Sequence, residues 1–140
     1  MERTLCIVKP DAVGADQTGK ILDRIERSGL RVVALAMRRL DQAGAERFYA
    51  VHRERPFFKG LVAFMTSGPI VVAALEGPDA IARYRKLMGA TDPAKAEPGT
   101  LRKDFASDVE RNAVHGSDSP ETARQELGFF FGPRDFVARG

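Results

Sequence analysis

The chain has 140 residues, a formal net charge of +3 and 44% hydrophobic residues, so we expect residues 1–140 to form one domain that buries roughly two-thirds of its unfolded surface. It has no apolar N-terminal region, no run approaching ~18 apolar residues and only one cysteine, Cys6, which excludes a membrane-spanning helix and an internal disulfide. A cytoplasmic protein with anionic partners, phosphates above all, is the expectation.

The first part of the chain alternates between strand and helix patterns. Arg3 to Lys9 is rich in Leu, Ile and Val, which predicts a central strand. Residues 14–21 fit the phosphate-loop pattern G-x-x-x-x-G-K, but Ile21 replaces the Ser or Thr that would bind magnesium. We therefore interpret this segment as a loop that leads into a helix. Residues 30–40 predict a second strand that is apolar on both faces over most of its length.

The middle of the chain predicts two helices, a strand and a further helix. Asp41 is suited to cap the first helix, and Pro56 is suited to the first turn of the second, so the two form a helical hairpin. Residues 70–75 predict a third strand. Pro78 then predicts a helix start, and Gly89 predicts the end of that helix.

The last part of the chain carries a long loop, a strand and a helix. Residues 89–113 contain Gly, Pro, Thr and charges without periodicity, and Ser119 begins a helix whose last turn carries Glu126. The whole order predicts an α/β (α+β) fold of the ferredoxin-like βαββαβ type. It has a four-stranded antiparallel sheet, an inserted helical hairpin and a long loop.

His115 is the residue around which a function can be argued. It follows the apolar dipeptide Ala-Val and precedes Gly-Ser-Asp. Its ring is therefore expected at the end of a strand, facing open space. Gly116 would let the backbone turn and let a bulky anion approach the ring. A neutral imidazole is a nucleophile at physiological pH. For an isolated histidine a polar strand cap would be the better interpretation, but His115 is not isolated.

The string Asn112-Ala-Val-His115-Gly-Ser-Asp118 resembles the active-site signature of nucleoside diphosphate kinases, and the resemblance extends from Arg3 to about Phe131. It implies the ferredoxin-like fold and a ping-pong reaction. In that reaction His115, as a pros-phosphohistidine, carries the terminal phosphoryl group from ATP or another nucleoside triphosphate to a nucleoside diphosphate, which maintains the triphosphate pools. Mg²⁺ is implied as a cofactor that arrives with the nucleotide phosphates, without a set of protein ligands.

The same resemblance implies a nucleotide-binding set. Arg85, Thr91 and Arg102 look like the residues that bind the nucleotide phosphates in that family, through two guanidinium groups and a hydroxyl. Lys9 and Asn112 resemble the groups that bind the ribose hydroxyls and the nearby phosphate. Phe57 resembles the aromatic residue on which the base stacks, and stacking is tolerant of base identity.

The resemblance implies catalytic roles as well, shared with Lys9 and Asn112. Tyr49 is similar to the residue that steadies the transferring group. Glu126 and Ser117 are similar to the residues that orient the histidine. His52 is not expected to carry the phosphoryl group, because it belongs to a helical segment and is not followed by Gly-Ser-Asp.

Two other functions compete with this interpretation. An RNA-recognition module has the same element order, but the nearest signature string, residues 59–64, has Leu61 where a stacking aromatic belongs and follows helical spacing. No specific nucleic-acid partner is therefore expected. A phosphohistidine relay that donates to protein partners shares the chemistry of His115 and stays open as a secondary role.

The chain is expected to assemble. Arg102 lies in the middle of the predicted loop, so something must hold that loop, and a neighbouring subunit could do so. The family forms symmetric oligomers in which this loop contacts other protomers. Val32 to Met37 is an apolar run suited to a sheet edge or face with a partner. The expectation is a homo-oligomer, a tetramer or a hexamer, built from dimers.

Overall fold

The computed structural model describes residues 1–139 and contains one four-stranded sheet. Its strands are, in chain order, β1 (Glu2–Val8), β2 (Arg31–Arg38), β3 (Ile70–Gly77) and β4 (Val114–Gly116). They lie side by side in the order β2-β3-β1-β4, and every neighbouring pair is antiparallel. β1 is therefore central, and the predicted ferredoxin-like sheet is confirmed.

Helices cover the sheet. They are α1 (Pro10–Gly14), α2 (Thr18–Arg27), α3 (Gln42–Phe48), α4 (Phe58–Met65), α5 (Ala80–Met88), α6 (Leu101–Phe105) and α7 (Pro120–Phe130), with short 3-10 turns at Ala50–His52, Pro93–Lys95 and Pro133–Asp135. In the part of the chain that the structure describes, none of these helices combines the length and the apolar character needed to cross a bilayer.

Side-chain alternation along β1 creates a separate core on each face of the sheet. Cys6 and Val8 face α2 and α5, whereas Leu5 and Ile7 face the side covered by α4 and α7. All four side chains are fully buried, because a central strand covered on both faces has no solvent side. The sheet is therefore the middle layer of the molecule.

Cys6 is a buried thiol, as its strand pattern predicts. The hydroxyl of Tyr84 donates a hydrogen bond to its Sγ at 3.1 Å. Burial disfavours the thiolate and raises the pKa of Cys6 to about 12, with a smaller opposing effect of that hydrogen bond. The thiol is consequently held in its unreactive, protonated form.

Side-chain caps start two of the helices where the sequence predicts them. The carboxylate of Asp41 accepts a hydrogen bond from the Gly44 amide at 2.7 Å. At α7, the Ser119 hydroxyl accepts from the Thr122 amide at 3.1 Å, and the Thr122 hydroxyl accepts from the Ser119 amide at 3.1 Å. This reciprocal pair is a capping box and satisfies two N–H groups at the helix start.

The predicted starts of the two helices after proline are wrong. α4 begins at Phe58 and α5 at Ala80, so Pro56 and Pro78 precede the helices rather than occupying their first turns. After Pro78, Asp79 takes a left-handed conformation with φ 50, which interrupts the helical path.

The predicted loop 89–113 is more regular than its sequence indicates. It contains the 3-10 turn Pro93–Lys95 and the helix α6, whose start is capped by the Thr100 hydroxyl accepting from the Lys103 amide at 3.3 Å. Elements this short have too few turns to show periodicity. The prediction that Arg102 lies in mid-loop is therefore wrong, because this residue belongs to α6.

A contact from α2 holds this loop against the body of its own chain. Arg24 donates to the carboxylate of Asp104 at 2.9 Å and also to the carbonyl of Gly99. The same guanidinium lies 5.8 Å from the centre of the Phe105 ring, within the range of a cation–π contact. These bonds anchor α6 within the chain, so a neighbouring subunit is not required to hold Arg102.

Candidate functional site

A cavity of about 1030 Å³ opens where β4 and the loop after α5 meet the α3–α4 hairpin and α7. Its walls contain every predicted site residue except one: Lys9, Tyr49, Phe57, Arg85, Thr91, Arg102, Asn112, His115 and Glu126. The exception, Ser117, is fully buried behind the wall. Residues spread over most of the sequence are thus brought to one concave site large enough for a nucleotide-sized ligand.

The ring of His115 is oriented by residues on β4 and α7. Its Nε2 lies 2.9 Å from Oε1 of Glu126, and the Ser117 hydroxyl donates to the same oxygen at 2.8 Å. Ser117 is itself fixed, because its hydroxyl accepts from the Leu5 amide at 3.1 Å. A carboxylate accepts only, so Nε2 carries the proton of the neutral ring. The lone pair is then on Nδ1, which is the nitrogen free to act as a nucleophile.

Tyr49 brings an unused hydroxyl to the site. Its side chain is almost fully buried, and its hydroxyl has no hydrogen-bond partner among residues 1–139. Burial raises the pKa of this phenol, and the nearby carboxylate of Glu126 raises it further. A protonated donor without a partner on a cavity wall is costly unless a ligand satisfies it. This is what a group that binds a transferring phosphoryl oxygen would look like.

Lys9 and Asn112 form a buried pair on the same wall. The Lys9 ammonium donates to Oδ1 of Asn112 at 2.8 Å, and Nδ2 of Asn112 donates to the Val109 carbonyl at 3.2 Å. Burial lowers the pKa of Lys9 to about 8, the charge of Arg102 lowers it further, and Asp11 opposes them. The sequence places Lys9 at a strand end, and the structure shows that its charge is enclosed rather than solvated.

This low pKa predicts opposite pH effects on activity and stability. If Lys9 binds a nucleotide phosphate, as the resemblance implies, it must do so as the ammonium, so kcat/KM, which reports the free protein, should fall as pH rises through about 8. Folding disfavours the charged form, so the free energy of unfolding should gain from Lys9 as pH rises from about 8 towards the ordinary value of 10.5.

Measuring both profiles for the wild type and for Lys9→Met checks this prediction. The variant should lack the gain in unfolding free energy above pH 8. A kcat/KM profile that stays flat between pH 7 and pH 9 would contradict the assignment.

Arg102 combines a structural task with a free side towards the cavity. Its guanidinium donates to the carbonyls of Gly89 at 3.1 Å, Asn112 at 3.4 Å and Val114 at 2.9 Å. Burial lowers its pKa, but a guanidinium stays charged in proteins. Its five N–H donors exceed these three acceptors. Arg102 therefore links the end of α5 to the start of β4, and its remaining N–H groups are available to bind an anion.

The remaining phosphate-binding candidates lie at the ends of their elements. Arg85 lies in the last turn of α5, which ends at Gly89 with φ 83 as the sequence predicts, and Thr91 follows in the loop. With Lys9 and Arg102 they give one cavity three cationic side chains and a hydroxyl. Such a wall suits a polyanion such as a nucleotide phosphate chain.

The opposite end of the cavity is aromatic. The side chain of Phe57 is 51% exposed there, with the His52 ring 5.4 Å away and the Tyr49 ring 6.4 Å beyond His52. A solvent-facing ring in a cavity is a platform for a flat base. His52 therefore belongs to the cavity wall, and the expectation that it is not the phosphorylated histidine stays a prediction. Its signal in the sequence was the three-residue spacing from Tyr49.

Gly116 has a packing role that its sequence context does not indicate. A Cβ at this position would lie 2.7 Å from Cε of Met88 and 2.8 Å from the ring of Tyr84. Glycine is therefore needed because α5 packs directly on β4, on the face opposite His115. The expectation that Gly116 lets an anion approach His115 stays a prediction, and Gly116 also lines the cavity.

Several cavity residues were not singled out in the sequence: Val51, Leu61, Val109, Glu110, Thr122 and Gln125. Within residues 1–139 no three His, Cys, Asp or Glu side chains are grouped so as to hold a metal ion. Asp118 and Thr91 bring separate oxygen donors to the cavity. Such donors suit Mg²⁺ when phosphate oxygens complete its coordination.

Comparisons with known proteins identify the family of the chain. A family model described as Nucleoside diphosphate kinase matches residues 2–136. The Nucleoside diphosphate kinase of Halorhodospira halophila is 60% identical over 139 residues, which are 99% of this chain and 99% of that protein. The Nucleoside diphosphate kinase of Burkholderia thailandensis is 58% identical over 139 residues, again 99% of each chain.

Solved structures give the same answer. The Aquifex aeolicus nucleoside diphosphate kinase, in an orthorhombic crystal form, is 50% identical with a TM-score of 0.95, over 97% of this chain and 99% of that chain. The halophilic nucleoside diphosphate kinase of Halobacterium salinarum, in complex with CDP, is 42% identical with a TM-score of 0.95, over 99% and 93%. The chain belongs to the nucleoside diphosphate kinase family.

Proposed function

We propose that this protein transfers the terminal phosphoryl group of nucleoside triphosphates to nucleoside diphosphates through a phosphohistidine on Nδ1 of His115. The observation that carries the proposal is the contact between Nε2 and Glu126 at 2.9 Å, which leaves Nδ1 as the nucleophilic nitrogen in a cationic cavity. The family membership supports the same reaction. Maintenance of triphosphate pools in the cytoplasm is the corresponding cellular role.

The reaction consists of two in-line transfers. Nδ1 attacks the γ-phosphorus, a bond forms between nitrogen and phosphorus, and the bond to the β,γ-bridging oxygen breaks with its electron pair leaving on the diphosphate. The ring gains positive charge, which the carboxylate of Glu126 stabilises across the Nε2–H bond. A second diphosphate then attacks the phosphohistidine by the reverse path, and the imidazole is regenerated.

The other side chains bind and position rather than react. Arg85, Thr91 and Arg102 would hold the phosphate oxygens, and Lys9 with Asn112 would bind the ribose hydroxyls and the nearest phosphate. The free hydroxyl of Tyr49 would donate to the transferring group. Preorganised donors of this kind act on charge that develops in the transition state, which is where phosphoryl transfer gains most of its rate.

Mg²⁺ is proposed to arrive with the nucleotide and to neutralise charge on its phosphates. Phosphate oxygens would be its main ligands, and the Asp118 carboxylate, which lines the cavity, would accept hydrogen bonds from its water molecules. The chain's own cations then need to balance only the remaining charge.

Two-substrate kinetics test the proposal. A ping-pong enzyme gives parallel double-reciprocal plots against the second substrate, and the phosphorylated protein forms from ATP before any diphosphate is added. We expect both results. Intersecting plots together with no phosphorylated protein after incubation with ATP alone would overturn the phosphohistidine route.

Base tolerance follows from the exposed ring of Phe57. Stacking does not use base edges, so kcat/KM for the common nucleoside diphosphates should differ by no more than about one to two orders of magnitude. The relative from Halobacterium salinarum was solved with CDP, a pyrimidine nucleotide. Phe57→Ala should raise KM about 5- to 100-fold, and by a similar factor for purines and pyrimidines. A loss confined to one base would contradict the stacking role.

Assembly is proposed to use the outer edge of β2. β2 ends the sheet, and Leu35 and Met37, on one face of it, are 54% and 62% exposed. The C-terminal tail covers the first part of this edge, because the Val137 amide donates to the Val33 carbonyl at 2.8 Å. A partly covered edge with exposed apolar side chains suits a second copy of the chain.

We therefore propose single-domain protomers that form a tetramer or hexamer through β2-edge dimers. Met37→Lys should shift the protein towards the monomer at micromolar concentration, because a buried charge at the edge opposes pairing. Sedimentation across a dilution series measures this shift. A wild type that is monomeric and fully active at micromolar concentration would contradict the proposal.

A further inference from the structure

The backbone just before β4 makes a tight turn that an alanine rarely adopts. Ala113 has φ 72, and the Val114 amide donates to the Asn112 carbonyl at 2.8 Å. A hydrogen bond from residue i+2 to residue i around a positive φ is a classic γ-turn, which is rare and strained. Ala113 is fully buried and has no polar side chain that could stabilise this conformation. Something outside the turn must therefore hold it.

The segment that follows β1 holds both polar groups of Ala113. The Ala113 amide donates to Oδ2 of Asp11 at 3.1 Å, and the Ala113 carbonyl accepts from the Lys9 amide at 2.8 Å. The second bond is a backbone contact that any residue at position 9 would make. The bond to Asp11 depends on a side chain, so Asp11 is the part of this clamp that the sequence specifies.

The first turn of α1 aims Asp11 at the γ-turn. Pro10 occupies the start of this helix, and its fixed φ suits that position. The carboxylate of Asp11 is then in the first helical turn, where the helix dipole favours a negative charge. Its other oxygen, Oδ1, is buried without a hydrogen-bond partner among residues 1–139. Burial raises the pKa of Asp11, and backbone hydrogen bonds and the charge of Lys9 oppose this shift.

The turn connects two residues of the site. Asn112 precedes it and accepts from the Lys9 ammonium at 2.8 Å, and His115 follows two residues after Ala113. If Ala113 relaxed to a negative φ, the chain direction at its α-carbon would change. The Asn112 side chain and the ring of His115 could then no longer keep their present relation to Lys9 and Glu126.

We propose that Asp11 is a positioning residue that holds the γ-turn at Ala113 and thereby places Asn112 and His115 for phosphoryl transfer. The kinetic part of this inference rests on the proposed function. The structural part, that Asp11 holds the Ala113 amide, does not depend on it. The two parts therefore need separate measurements.

Asp11→Ala should slow formation of the phosphohistidine about 10- to 100-fold, as is usual when a residue supporting a reactive group is removed. KM for the nucleotide should also rise, because Asn112, one of the proposed ribose-binding groups, adjoins the turn and its carbonyl accepts from Arg102, whereas Arg85 and Thr91 should keep their positions. Asp11→Asn keeps an oxygen that can accept from the Ala113 amide, so it should retain most of the rate. Asp23→Ala, an exposed carboxylate on α2 paired with Arg27, is the matched control and should leave the rate unchanged.

A second-site change separates this role from general stability. Glycine adopts a positive φ without the penalty of a Cβ. Ala113→Gly should therefore restore about 5- to 30-fold of the rate lost in Asp11→Ala, which corresponds to the preference of glycine over alanine for such a conformation. A residue that only stabilised the fold would lower the unfolding temperature without slowing the reaction of the folded protein, so there would be no rate loss for glycine at position 113 to restore.

The experiment measures phosphohistidine formation, hydrogen exchange of the amide at position 113 and thermal unfolding for wild type, Asp11→Ala, Asp11→Asn, Asp23→Ala and Asp11→Ala/Ala113→Gly. The inference expects faster exchange and a slower reaction in Asp11→Ala, near-normal values in Asp11→Asn, and recovery of rate in the double variant. If Asp11→Ala does not fold, recovery of folding and of phosphohistidine formation in Asp11→Ala/Ala113→Gly would support the inference, and a double variant that also fails to fold would contradict it.

The results that would overturn the inference are equally definite. Wild-type rate and wild-type exchange in Asp11→Ala would show that Asp11 does not hold the turn. A slow Asp11→Ala that Ala113→Gly fails to rescue would show that Asp11 acts otherwise. If the wild type forms no phosphohistidine, the proposed function is wrong. If the Ala113 amide of Asp11→Ala is as well protected from hydrogen exchange as in the wild type, only the proposal that Asp11 holds the turn is wrong.

Discussion

His115→Ala should abolish both phosphohistidine formation and phosphoryl transfer, with a fall in kcat of at least about 10⁴-fold. The reason is that, within the described residues 1–139, no other nucleophile lies in the arrangement seen at His115, whose Nε2 is bound to Glu126 and whose Nδ1 is left free. The fold should survive, because the side chain contributes to a cavity wall rather than to either core. Acid-labile incorporation of the γ-phosphate of ATP measures the effect.

The control uses the other histidine, since the chain has two. His52→Ala should still form the adduct, because His115 is intact, although nucleotide affinity should fall through loss of the ring beside Phe57. Label that persists in His115→Ala and disappears in His52→Ala would reverse the assignment.

The second large effect is expected for a conservative change, Arg102→Lys. Lysine keeps the charge but cannot donate to three separate carbonyls and a phosphate at once. We expect kcat/KM to fall by about 10²-fold. The free energy of unfolding should fall by about 1–3 kcal/mol, because the carbonyls of Gly89, Asn112 and Val114 lose their donor.

A matched variant separates the two effects. Arg83→Lys removes donors to the carbonyls of Pro78 and Ser28, which lie outside the cavity. It should reduce stability slightly and leave kcat/KM near the wild-type value. If Arg102→Lys loses stability without losing kcat/KM, Arg102 is only a structural residue and the phosphate assignment is wrong.

Much of the fold could be predicted from the sequence, because alternation and helix caps are local signals. The apolar pattern of β1 and the cap at Asp41 both led to correct elements. α1 and α6 were missed for a common reason. Each has five residues, and so few positions cannot show a 3.6-residue period.

The site was predicted unevenly. The residues around His115 identified it as the candidate nucleophile. Its hydrogen bond to Glu126 is a contact between β4 and α7, and no local sequence pattern encodes such a contact. The γ-turn at Ala113 had no sequence signal at all, because alanine is not a turn residue. The position of His52 on the cavity wall depends on how the α3–α4 connection folds, and this too is a tertiary property.

The most direct test of phosphoryl transfer through His115 is a pulse with γ-labelled ATP and Mg²⁺, removal of free nucleotide, and a chase with GDP. The account predicts close to one acid-labile label per chain on His115 after the pulse, and quantitative transfer of that label to GTP in the chase. A dedicated relay to protein partners would keep its label when GDP is added. Retention of the label on His115 in the presence of GDP, or formation of labelled GTP by His115→Ala, would contradict the account.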